Sequence, residues 1–208
     1  MIPLETLATF SMAALLLALA PGPDNIFVLT QSALHGRLAG LLVTLGLCTG
    51  VLVHTTAVAL GVAVIFQVSA VAFTMLKLFG AGYLLYLAWH VFRASADTIA
   101  AADAQPLKPA RLYRRGIIMN VTNPKVSIFF LAFLPQFADP ARGSLTLQML
   151  MLGGVFIAST IFIFGGIALM AGSIGQWLNR SPRTQIVMNR IAGTVFVALA
   201  LKLATTSR

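Results

Sequence analysis

Apolar residues run along this chain in long unbroken blocks rather than at the spacing of a half-buried helix. No Asp, Glu, Lys or Arg falls between Thr6 and Pro23, between Asn25 and Gly36, between Leu38 and Leu76, or between Gly143 and Asn179. A helix needs about 20 consecutive apolar residues to cross a bilayer. The blocks therefore predict an all-α integral membrane protein with six spans, over residues 4–34, 38–66, 70–92, 115–137, 145–173 and 184–206. Two spans carry an interruption. The first holds Pro21-Gly22-Pro23-Asp24-Asn25, and the fourth holds Asn120-Val121-Thr122-Asn123-Pro124-Lys125. Proline and glycine at one point predict a helix whose backbone is broken there, near 21–25 and near 123–125.

Composition agrees with that pattern. The chain is 59% hydrophobic and only 9% charged, against about 25% charged in soluble domains. No stretch is both long and polar enough for a soluble domain, so residues 1–208 read as one transmembrane domain. Arg93 to Tyr113, with Pro106 and Pro109, is the longest hydrophilic stretch and reads as a flexible cytoplasmic linker. A net charge of +9 raises the question of nucleic acid. The cations lie in short loops and span ends, which is the distribution that orients a membrane protein, and nucleic acid is set aside. Arg37, Arg93, Lys108, Arg111, Arg114, Arg115, Arg180, Arg183 and Arg190 share one side; Arg142, Lys202 and Arg208 share the other. Nine against three puts the first set in the cytoplasm and both termini outside. Ala18-Leu19-Ala20 has the look of a signal-peptidase site, but Pro21 follows it and Glu5 precedes it, so the segment reads as a retained first span. Cys48 is the single cysteine and has no metal-ligand spacing around it; it reads as a small core residue.

The halves resemble each other. Lys77-Leu-Phe-Gly80-Ala-Gly82-Tyr83 in span three is similar to Arg190-Ile-Ala-Gly193-Thr-Val-Phe196 in span six, and Pro23-Asp24 corresponds to Pro124-Lys125. Three spans per half force opposite insertion. The prediction is two inverted repeats, residues 1–92 and 114–208, joined by the linker 93–113. Matching breaks in the two halves of such a fold point to a binding site near mid-membrane.

Asp24 and Lys125 are the charges at those breaks. A carboxylate at depth can pair with a substrate ammonium or carry a proton; it can also cap the helix that follows it. Lys125 can neutralise Asp24 or face a substrate carboxylate, or its chain can reach to an interface. Pro21, Gly22, Pro23 and Pro124 free backbone groups that suit an ion with both charges, or simply kink the helix. Asn25, Asn120 and Asn123 add amides that can contact substrate or join helices. Lys77, inside span three, is a further candidate for Asp24's partner. His54 and His90 read as hydrogen-bonded packing residues, and Phe129, Phe130, Phe133 and Phe137 as core or lipid contacts. Gly46-Leu-Cys-Thr-Gly50, Gly153-Gly154 and Gly165-Gly166 permit close backbone approach, which allows a homodimer without requiring one. No GxxxxGK[ST] run, Ser–His–Asp set or HExxH occurs, so neither an ATP-driven pump nor an enzyme is expected.

The motifs Pro21-Gly22-Pro23-Asp24, Lys77-Leu-Phe-Gly80-Ala-Gly82-Tyr83-Leu-Leu-Tyr86-Leu, and Gly116…Asn120…Asn123-Pro124-Lys125 with Phe129-Phe130 and Pro135-Gln136-Phe137 resemble the LysE/RhtB family of amino-acid exporters. The resemblance covers the whole chain. It implies multi-pass placement in a bacterial cytoplasmic (inner) membrane. It implies export of amino acids or close derivatives, driven by the membrane's ion gradient. Asp24, as one carboxylate that takes substrate or proton but not both, makes proton antiport the expected coupling, and no cofactor is expected. Relatives of the wider superfamily handle divalent metals, and cation export stands as the alternative.

Overall fold

In the computed structural model, residues 2–68, 70–94, 108–180 and 182–205 are described, with the side chains of 62–68, 70, 72, 73, 76, 172–180 and 182–185 left aside. All regular structure among these residues is helical. The helices are α1 (Leu4–Leu19), α2 (Pro23–His35), α3 (Arg37–Val68), α4 (Ala70–Arg93), α5 (Pro109–Val121), α6 (Pro124–Ile128), α7 (Leu145–Arg180) and α8 (Pro182–Thr205).

Proline starts four of them: Pro23, Pro109, Pro124 and Pro182 each occupy a first helical position. Its missing N–H falls where no partner exists, and its fixed φ suits helix entry. Pro109 therefore begins α5, and the hydrophilic stretch expected to run to Tyr113 ends at Lys108. Residues 95–107, the remainder of the expected linker, lie outside the described set.

Both expected breaks are present. α1 and α2 meet at 61°, and α5 meets the segment 124–137 at 50°. Beyond the second break, the expected single helix is replaced by three kinds of turn. α6 lasts five residues, Phe129–Phe133 is π-helical, and Leu134–Phe137 is 3-10. Pro135 cannot donate to the helical ladder, so the chain tightens as it leaves the span.

Three helical segments are long and apolar enough to cross a membrane: Arg37–Gly61, Leu145–Ala171 and Ile186–Thr205. If each bent pair is one span, the count reaches five. The expected third span, 70–92, is helical as α4 but includes side chains outside the described set and is not among these five. Large apolar side chains cover the outer surface, including Phe79, Phe162, Leu38 and Val71. Such a surface suits lipid rather than water.

α3 is the hub, packed along α5, α7 and α2, while α4 packs along α8. Thr146 at the start of α7 reaches the Ala59 carbonyl late in α3, and Asn189 early in α8 reaches the Ala94 carbonyl past α4. Both pairs are therefore antiparallel. The α3–α5 seam is glycine-made. A methyl group on Gly46 would meet the Tyr113 carbonyl, and one on Gly116 would meet the Val43 carbonyl. Gly153 seats Thr55 in the same way, whereas Gly154, Gly165 and Gly166, expected to do likewise, face open space. Phe129, Phe130 and Phe133 are fully buried and Phe137 nearly so, in one aromatic core with Phe10 and Phe156. Cys48 is buried, as expected of a core residue.

Candidate functional site

The two breaks face each other. Asn123 begins the second half-helix: its Oδ1 accepts from the Lys125 backbone N–H at 3.0 Å, which caps α6. Its Nδ2 donates to Asp24 Oδ2 at 3.0 Å. One amide thus closes the start of α6 and holds the carboxylate on the first turn of α2, across 99 residues of sequence. Asp24 is only 2% exposed. Its other oxygen, Oδ1, is buried without a hydrogen-bond partner. The Asn120 side chain also acts on Asp24, and its own Oδ1 is buried and unpartnered against Gly50.

Lys125 is buried too, but it forms no ion pair with Asp24. Its Nζ donates to the carbonyls of Leu17 at 3.2 Å and Ala20 at 3.0 Å. Those groups end α1, where the helix dipole is negative and carbonyls lack partners. Asn25 Nδ2 completes the closure by donating to the Ala18 carbonyl at 2.8 Å. The ammonium passes close over Gly22, where a side chain would lie 3.2 Å from Nζ. Gly22 is therefore small because Lys125 crosses it. Ala20, Pro21 and Gly22 run extended between the half-helices. Pro21 and Pro23 flank that run, and Pro124 leads α6.

Of the candidates read from sequence, Asp24, Asn25, Pro21, Gly22, Pro23, Asn120, Asn123, Pro124 and Lys125 come together here. Lys77 is half-buried on α4. Arg190 is exposed on α8. His54 is a packing residue, with Nε2 3.2 Å from the Asn120 carbonyl and its ring stacked on Phe130 at 5.7 Å. His90 is exposed at the end of α4, its Nδ1 3.0 Å from the Tyr86 carbonyl. Phe27, near the break, lies under the Arg115 guanidinium at 4.8 Å. Gln31 and His35 were not singled out from sequence. Both carry buried, unpartnered polar atoms on α2, and an 11-residue spacing from Asp24 to His35 was the signal available. Among the described residues, no three His, Cys, Asp or Glu side chains gather in a metal-sized group.

The site is closed. Two clefts lie away from it, towards opposite ends of the α1–α2 pair. One of about 390 Å³ is bounded by Ser32, Gly36 and Arg37 and by Ala168 to Ala171 on α7. The other, about 280 Å³, is bounded by Glu5, Thr9, Gln136 and Lys202.

A helical membrane protein with facing broken helices, an enclosed acid and base, and a cleft at either end has the build of a transporter. The model of the LysE type translocator family matches residues 15–207, and the chain belongs to that family. Relatives align over nearly their whole length. A homoserine/homoserine lactone efflux protein of Salmonella typhi is 33% identical over 94% of each chain. An uncharacterized membrane protein of Vibrio cholerae is 31% identical over 94% of this chain and 95% of its own. A leucine efflux protein of Salmonella choleraesuis is 26% identical over 95% and 93%. No solved structure matches. The family is one of translocators, and its members are transporters rather than enzymes.

Proposed function

We propose that this chain exports amino acids or close derivatives from the bacterial cytoplasm across the inner membrane, in exchange for protons. The reading rests on one observation: Asp24 is sealed at the junction of two broken helices with Oδ2 held by Asn123 and Oδ1 unpartnered. A carboxylate oxygen held ready in a dry site suits one ammonium or one proton. Occupancy by either excludes the other, which is the requirement for exchange.

The relatives' names support the same chemistry. Homoserine, its lactone and leucine share an α-amino group, whereas the lactone has no free carboxylate. The amine is therefore the common handle, and Asp24 is its partner. Lys125 and the N-terminal ends of α2 and α6 are the complementary positive features for a carboxylate when one is present. One acid at depth suits substrates with a single ammonium rather than dibasic ones.

Six crossings in two inverted repeats, with both termini outside, belong to this reading. The antiparallel α3–α7 and α4–α8 pairs support it, as do the matched positions of Asp24 and Lys125 on the first turns of α2 and α6. Proteoliposomes loaded with homoserine, leucine and other neutral amino acids test it. Efflux should accelerate under a proton gradient. A broad panel in which no amino acid responds to the gradient defeats the proposal.

A further inference from the structure

Five buried side-chain atoms among the described residues have no hydrogen-bond partner, and four of them lie on α2: Asp24 Oδ1, Asn25 Oδ1, Gln31 Oε1 and His35 Nε2. Asn25 is already tied to the Ala18 carbonyl through Nδ2; from Asp24 to Gln31 to His35 the steps are seven and then four residues. At 3.6 residues per turn those steps return to the same side of the helix. The three residues thus form a single polar line down α2, with Val28 between them. Gln31 is only 3% exposed. A buried amide oxygen left unpaired is destabilising, and no hydrogen bond in the fold offsets it.

We infer that Gln31 is a second contact for the substrate ammonium, and that the Asp24–Gln31–His35 line walls the half of the path leading from the site to the end of α2. That end lies at Arg37, on the side with more basic residues. The inference rests on the reading of Asp24 as the ammonium site. Along the axis, Gln31 lies about 10 Å from Asp24 and His35 about 6 Å further. Those gaps are too long for one α-amino group to touch two of them, so the line works as successive stations. The chemistry is graded. Asp24 is a charged acceptor that binds firmly; Gln31 is a neutral acceptor that binds weakly. A permeating ion needs weak, multiple sites to leave as well as arrive. Phe27 on the flank, held under Arg115, screens the line from the α5 cation.

The test uses the full chain in liposomes with neutral amino acids that the wild type exports. Gln31→Leu should lower the export rate about tenfold, the loss of one hydrogen bond to a charged group. Binding of the same amino acid, read as a thermal shift of the purified protein, should stay within about twofold, because the resting substrate sits at Asp24 and only passes Gln31. Gln31→Glu, which keeps an acceptor oxygen, should restore export above the Leu variant. Wild-type export by Gln31→Leu overturns the inference and leaves Asp24 untouched. Wild-type binding by Asp24→Asn overturns the underlying reading instead. Should Gln31→Leu fail to fold, cysteine accessibility decides. In a Cys48→Ala background, Gln31→Cys and His35→Cys should react with a water-soluble thiol reagent added at the Arg37 end, and bound amino acid should slow residue 31. Leu29→Cys, on another face of α2, should stay inert. Equal silence at 29, 31 and 35 removes the path.

Discussion

Asp24 and Lys125 are alike in burial and opposite in their bonding. Lys125 is spent on backbone: its ammonium closes the end of α1 at Leu17 and Ala20. Asp24 is half-spent, with one oxygen on Asn123 and the other short of a full hydrogen bond, with the Asn120 side chain near enough to act on the carboxylate. The two substitutions should therefore fail differently. Asp24→Asn keeps a polar group of the same size, so the protein should insert and stay monodisperse while export falls about 10- to 100-fold, the worth of a charged hydrogen bond. Flux measured beside size-exclusion profiles checks it. Lys125→Met leaves two carbonyls without donors at about 1–3 kcal/mol each, so its main effect should be a lower melting temperature in detergent. A melting curve matching the wild type would show that the carbonyls find other donors. Both residues stood out in sequence from the cost of charge at depth, and the fold buries both at the junction of the broken helices. Their division of labour was not legible in sequence, because the carbonyl ends of α1 become visible only once the break is folded.

At the scale of elements, the breaks were readable because proline and glycine act locally. The π-helical turn at Phe129–Phe133 was not, since no residue type in Phe-Phe-Leu-Ala-Phe demands it. Glycines were ambiguous for a related reason: a glycine pair marks a smooth face but does not say what rests on it. Gly46 and Gly50 rest on α5, whereas Gly154 and Gly165 face open space. This difference is testable. Gly46→Ala places a methyl against the Tyr113 backbone, which cannot swing aside, and should cost about 1–3 kcal/mol through overpacking. Gly154→Ala meets nothing and should be neutral or stabilise by up to about 1 kcal/mol through helix propensity. Thermal unfolding of the two variants side by side decides the matter; equal loss in both would contradict the seam.

For the molecule as a whole, the basic residues and the helix order support one orientation. The ends of α2, α4 and α7 share the side of Arg37 and Arg93, while the N-terminus, the turn at 138–144 and the end of α8 share the other. Alkaline phosphatase fused after Arg208 should be active, and a fluorescent protein fused there should be dark. The reverse result overturns that orientation. Six spans were counted from apolar blocks alone; among the described residues the count on length and composition reaches five when each bent pair is one span, with α4, part of whose side chains lie outside the described set, not in that count. Which half touches which was beyond the sequence, because apolar blocks say that a helix is buried without saying against what. The bond between Lys125 and α1 has a mechanical sequel. A single side chain from the second half pins the first half shut, so any movement that separates α1 from α6 must unfasten that pin. Two charge-assisted bonds amount to about 3–6 kcal/mol before water replaces them. That sum is the height of the latch an arriving carboxylate would lower by taking the ammonium for itself.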